Sequence, residues 1–218
     1  MRRSFLLGLV PALAFAAVTF GSTRQALAGP HLDIDFDLCT ALQNRNNQTA
    51  VDFSGGLGLR LGWRAHLYGA PLYIQPEIGG KYMHFGFNSN NLEGGYDYAG
   101  LVNAGLKFGM TGIVQPNIFG HLGYGFMGYT QPNSPDIAAV SGPTADIGAG
   151  LDFRLLPGWT LGLQVAYNSM LLPVADTNPP VYGTAKWVSF GLTTGFHFGE
   201  PRPAPVYVRP APVYVRAY

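Results

Sequence analysis

Apolar and polar residues alternate one by one along most of this chain, in runs longer than ordinary strands. In 96–108, Tyr96, Tyr98, Gly100, Val102, Ala104, Leu106 and Phe108 oppose Asp97, Ala99, Leu101, Asn103, Gly105 and Lys107. Successive side chains of a strand point to opposite faces, so this run predicts a strand with one apolar face and one polar or small face. The same period recurs over 51–66, 144–155, 159–168 and 186–198. Segments 72–87 and 113–127 alternate less evenly, and the first loses its pattern around His84–Phe87. Each holds a proline, Pro76 or Pro116, which removes a ladder donor, so local distortion is expected there. His31–Leu38 supplies an eighth strand, with Leu32, Ile34, Phe36 and Leu38 opposite His31, Asp33, Asp35 and Asp37. No segment offers a long stripe of helical period.

The links between these segments alternate strictly. Tight ones fall at 67–71, 110–112 and 156–158, and longer polar ones at 39–50, 88–95, 128–143 and 173–183. That order is an up-and-down meander with short turns at one end and long loops at the other. With eight strands both chain ends leave on the short-turn side, and the even count suits a closed barrel. The fold class expected is all-β, an eight-stranded antiparallel up-and-down transmembrane barrel.

Composition decides between lipid and water. Only 11% of residues are charged, against roughly 25% in a soluble domain, while aromatics reach 13% and glycine numbers 30. A soluble barrel of this pattern needs a polar outside, and Arg60, Asp97 and Lys107 are too few to wet one. Aromatics bracket the apolar faces: Phe53 with Trp63, Tyr98 with Phe108, Trp159 with Tyr167. Ten residues tilted near 40° climb about 25 Å, the height of a lipid-facing band between two girdles. Tyr73, Phe108, Trp159, Phe196 and Phe198 are expected near the periplasmic rim, and Phe53, Tyr82, Tyr96, Tyr98, Phe126 and Tyr167 near the outer rim. A net charge of +1 excludes the basic stripe that nucleic acid requires.

Three regions divide the chain. Residues 1–28 carry Arg2 and Arg3, an uncharged core over Phe5–Phe20 and a small-x-small site at Ala26-Leu27-Ala28. These are the marks of a secretory signal peptide cut before Gly29. The apolar run is shorter than the roughly 20 residues of a spanning helix. The barrel is expected over 29–199. A tail over 200–218 repeats PAPVYVR perfectly at Pro203–Arg209 and Pro210–Arg216. Its prolines stiffen it toward polyproline II, as a spacer, a docking segment or an arm toward the cell wall, and the alternative is a flexible, disordered periplasmic tail.

The stretch IGAGLDFRLLPGWTLGLQVAY (Ile147–Tyr167) and the late strand GLTTGFHF (Gly191–Phe198) resemble the eight-stranded outer-membrane protein A-like barrel superfamily. The resemblance covers Leu32–Phe198 and implies residence in the bacterial outer membrane. Members include structural anchors, adhesion or immune-evasion barrels and small-molecule channels. It also implies that Phe196 and Phe198 serve the barrel insertion machinery, and that the superfamily's peptidoglycan-binding domain is missing here. Thr193 stands where a glycine is usual, and the chain runs twenty residues beyond Phe198.

Inward projection gives a lumen charge network of Arg60, Arg64, Glu77, Lys81, Asp97, Lys107, Asp146, Asp152 and Arg154, joined by Asp33, Asp35 and Asp37 from the first strand. Eight strands leave room for side chains or one small ligand, and charges inside must be paired. The expected function is therefore a plugged barrel with a structural or surface-interaction role. A narrow path for ions or small solutes is the alternative. A lipid-modifying enzyme is a third reading, weakened because His31, His66, His84, His121 and His197 look scattered relative to Ser54 and Ser189. No metal ligand spacing and no cofactor site is read. Cys39, the single cysteine, has no role assigned beyond an intermolecular disulfide. Expected partners are outer-membrane lipids, the insertion machinery, and a cell-wall or surface partner met through the tail or external loops, with the barrel monomeric.

Overall fold

A computed structural model describes residues 28–43, 53–67, 70–85, 96–130, 137–175 and 181–198. Residues 1–27, most of the segments expected as long links, and residues 199–218 lie outside the described residues. Eight strands follow in order: β1 (Ala28–Gln43), β2 (Phe53–His66), β3 (Leu72–Phe85), β4 (Tyr96–Met110), β5 (Val114–Thr130), β6 (Ile137–Leu156), β7 (Trp159–Ala175) and β8 (Val181–His197). Each pairs antiparallel with its neighbours in sequence, and β1 pairs with β8 to close the barrel. The acidic segment 31–38 is thus a full strand, bonded on both sides.

The strands outrun the alternation that predicted them. β5 continues to Thr130 and β6 begins at Ile137, so much of the link expected over 128–143 is ladder, with Thr130 opposite Ile137. Ser141, Gly142 and Pro143 read as turn residues, yet Pro143 sits opposite Tyr124. A strand between two others is held by both neighbours, and this overrides weak local propensity. β7 and β8 likewise extend past Leu172 to Ala175 and back to Val181.

The prolines are absorbed without a change of register. Pro76 lies opposite Leu106 of β4, while on the β2 side the ladder lapses between Gly62↔Glu77 and Ala65↔Ile74. Pro116 pairs with Leu151 of β6, beyond the last β4 pair, Gly109↔Asn117. Register shifts occur instead at strand ends, at Ala41/Gln43, Tyr96/Tyr98, Arg154/Leu156 and Pro173/Ala175. At the β6–β7 hairpin, Pro157 precedes Gly158, whose φ of 81° is the left-handed value a type II turn requires at its third residue.

Leu57, Leu59, Leu61, Val102, Ile118, Leu122, Ile147 and Leu163 lie exposed on the outer wall, while Asp35, Gln75 and Lys107 are buried inside. This inverts the soluble pattern and suits a wall bathed in hydrocarbon. Of the girdle aromatics, Trp63, Phe108, Tyr167 and Phe198 are exposed, and Tyr98, Trp159 and Phe196 half-buried. The side chains of Phe53 and Tyr96 lie outside the described residues. Tyr73 corrects the girdle: only 1% exposed, it points into the lumen in phase with Gln75 and Glu77.

Candidate functional site: the barrel interior

Inward positions fall into two storeys, and the lower, near the short turns, is polar. At its floor the guanidinium of Arg64 lies 3.9 Å from the ring centroid of Tyr73. Its Nε donates to Gln75 Oε1 at 3.0 Å and one Nη to Gln115 Oε1 at 3.1 Å. Beside it, barrel closure sets His31 opposite His197, with their Nδ1 atoms 2.7 Å apart. His31 Nε2 is 2.7 Å from Asp33, and His197 Nε2 is 3.3 Å from Thr160 Oγ1. Arg154 is half-buried near this end of β6.

Higher up, Lys107 lies 3.3 Å from Asp152 and 3.5 Å from Asp33, and Asn117 donates to Asp152 at 3.0 Å. Arg60 reaches Asp35 at 3.1 Å and Glu77 at 3.9 Å. His121 is clasped between Glu77 at 2.7 Å and Asp146 at 2.6 Å, one carboxylate on each ring nitrogen. With both carboxylates ionised, that geometry needs a proton on each nitrogen. Lys81 and Asp37 pair at 2.6 Å. Neutral amides join these pairs: Gln75 donates to Glu77 at 2.7 Å, Asn103 to Asp146 at 2.8 Å, and Gln164 to both Asp35 and Asp37 at 3.3 and 3.4 Å.

The described lumen thus holds six carboxylates, Asp33, Asp35, Asp37, Glu77, Asp146 and Asp152, facing Arg60, Arg64, Lys81, Lys107 and Arg154. Protonated His121 completes the balance. The side chain of Asp97, expected in the same network, lies outside the described residues.

The upper storey, toward the long loops, is mostly apolar, with Ser54 and Ser189 buried beside Cys39. Cys39, Met83, Phe85, Ala99, Leu101, Met127, Met170, Leu172, Ala185 and Trp187 form one buried cluster. Phe85 and Trp187 meet edge to face with centroids 6.4 Å apart. Cys39 Sγ lies 3.7 Å from Met83 Sδ and is enclosed. That corrects the expected disulfide to another chain, which needs an accessible thiol. The storey also explains why alternation fails from His84. The strand keeps its period as far as Phe85, but Met83 and Phe85 point in and His84 out, so polarity ceases to mark the face; residues 86 and 87 lie outside the described residues.

The signal for this storey lay in the phase rather than in residue type. Counting by two from Glu77 and Lys81 reaches Met83 and Phe85; from Lys107 and Asn103, Leu101 and Ala99; from Gln164 and Asn168, Met170 and Leu172. The pairing of His31 with His197 had no local signal, because the two are joined only by closure of the first strand on the last.

A catalytic role fits none of these groups. His121 is held by two carboxylates, Ser189 accepts from Asn168 at 3.1 Å, and Thr160, beside His197, is buried at 3% exposure. Among the described residues no group of three His, Cys, Asp or Glu side chains is placed to hold a metal ion.

No protein-family model and no curated protein matches the sequence. Solved structures do match in shape. Neisserial surface protein A is 11% identical, with a TM-score of 0.50, covering 78% of this chain and 99% of its own. The attachment invasion locus protein Ail of Yersinia pestis is 15% identical with a TM-score of 0.49 and the same coverage. The N-terminal barrel domain of Pseudomonas aeruginosa OprF is 13% identical with a TM-score of 0.41. At such identities the likeness is one of fold. The chain is an eight-stranded, closed, antiparallel β-barrel resembling the small outer-membrane barrel proteins.

Proposed function

We propose that this chain is exported, loses its leader after Ala28, and stands in the outer membrane as a monomeric structural or surface-interaction barrel. The supporting observation is the lumen, filled in series by a paired polar network and an apolar cluster. Ions crossing it would have to break several buried pairs and then pass a largely apolar side-chain plug, and both steps are costly. Interaction then falls to the external loops, presented on a rigid wall, and to the tail. Arg202, Arg209 and Arg216 make the tail basic, suited to an anionic cell-wall surface. Phe196 and Phe198, alternate aromatics closing the last strand, suit recognition by the insertion machinery.

Reconstituted in a planar bilayer, the purified barrel is expected to give no discrete conductance steps. Reproducible steps that vanish with heat-denatured protein would replace this reading with the narrow pore. N-terminal sequencing of protein recovered from outer membranes is expected to begin at Gly29, and a start at Met1 would overturn the export proposal.

A further inference from the structure

The outer wall carries an open concavity with a volume of about 630 Å³ across β1–β5, with Ile34 at its β1 edge. The register explains its shape. One row of outward residues runs Leu57, Tyr82, Gly100, Phe126, and the row beside it runs Leu59, Gly80, Val102, Tyr124. Two diagonal positions in this small grid are glycine, so the wall drops to backbone there while Leu57, Leu59, Tyr82, Val102 and Tyr124 stand up around it. Phe126 leans over Gly100, but at Gly80 an added Cβ would meet only the Leu101 carbonyl, at 3.4 Å. Every side chain of the grid is aliphatic or aromatic.

We propose that this groove is a binding site for one acyl chain of an outer-leaflet lipid. Height and chemistry select the occupant. The groove lies on the long-loop side of the apolar band, below the stack of Tyr82 on Tyr98 at 6.5 Å and the contact of Tyr98 with Phe126 at 6.1 Å. At that level in a bilayer the surroundings are hydrocarbon, and a void would forfeit the contacts of its lining. An acyl chain is slender and flexible enough to follow the diagonal. Tyr82 and Tyr98 stand at the upper rim, where amphipathic aromatic rings settle at the headgroup level. The inference rests on the barrel standing in lipid, which heat-modifiable migration on a gel tests separately.

Native mass spectrometry of the barrel, extracted in mild detergent and stripped by stepwise activation, provides the test. The wild type is expected to retain one lipid after all others have left. G80L fills the groove and is expected to reduce that adduct at least tenfold. G55L, on the same face where an added Cβ meets nothing within 4 Å, is expected to keep it. Should G80L fail to fold, Val102→Trp fills the groove from an exposed position and is expected to act alike. Equal loss of all lipids from the wild type, or an adduct indifferent to both filling variants, overturns the proposal. A dimer mass that the filling variants abolish overturns it too, by giving the groove to a second copy.

Discussion

Replacing Arg60 with leucine is expected to cost the barrel about 3–5 kcal/mol, the range for removing one partner of a buried ion pair. Arg60 is the cation 3.1 Å from Asp35, a carboxylate with no exposed surface. Without it, the hydrogen bond left to Asp35 among the described residues is that from the amide of Gln164, 3.3 Å away. Glu77 loses a weaker contact and retains His121 and Gln75, so the damage centres on Asp35. The double variant with Asp35→Asn is expected to recover most of the loss, because it removes the stranded charge rather than restoring the pair. Urea unfolding of the barrel refolded into lipid vesicles measures both. A loss under about 0.5 kcal/mol for R60L, the scale of solvated surface pairs, would mean that water fills the lumen. That result would revive the pore.

Leu163→Arg probes the opposite face and is expected to cost about 2–4 kcal/mol, the penalty for arginine at the midplane of a lipid-facing wall. Leu163 is 58% exposed and lies midway between Trp159 and Tyr167 on β7. Tyr182→Arg supplies the comparison. It is equally exposed at 55% but sits at the long-loop end of β8, where the cost falls to about 0–1 kcal/mol. In water both changes would fall within about ±0.5 kcal/mol, as exposed substitutions do. The gradient with height therefore separates a membrane wall from a soluble one, and two equally harmless variants would refute the membrane reading.

Much of the barrel is legible in the residues. The inward phase of β1, His31-Asp33-Asp35-Asp37, and of β4, Asn103 and Lys107, follows directly from period two, as do the bare leucines of β2. Strand ends are less legible. Ser141-Gly142-Pro143 reads as a loop and is strand because β5 and β7 hold it on either side. Tyr73 shows a related limit. An aromatic near a strand end suggests a girdle, but its odd number puts it inside, against Arg64. Here phase outranks residue type, since side-chain direction is imposed by the backbone whatever the side chain is.

The sequence by itself determined the strand count, the two faces of most strands and the charged lining residues, because alternation is a local property of extended chain. Partner choice belongs to the tertiary structure. Arg60 stands opposite Asp33 in the β1–β2 ladder, yet its guanidinium meets Asp35, one inward position nearer the long loops, where the facing Gly58 leaves room for it. His31 meets His197, 166 residues away, because the first strand must pair with the last. The β3–β4 register brings Gly80 and Gly100 diagonally together to hollow the outer wall. Relative height around a barrel is fixed only when all eight registers are satisfied together, and no single stretch of chain carries that information.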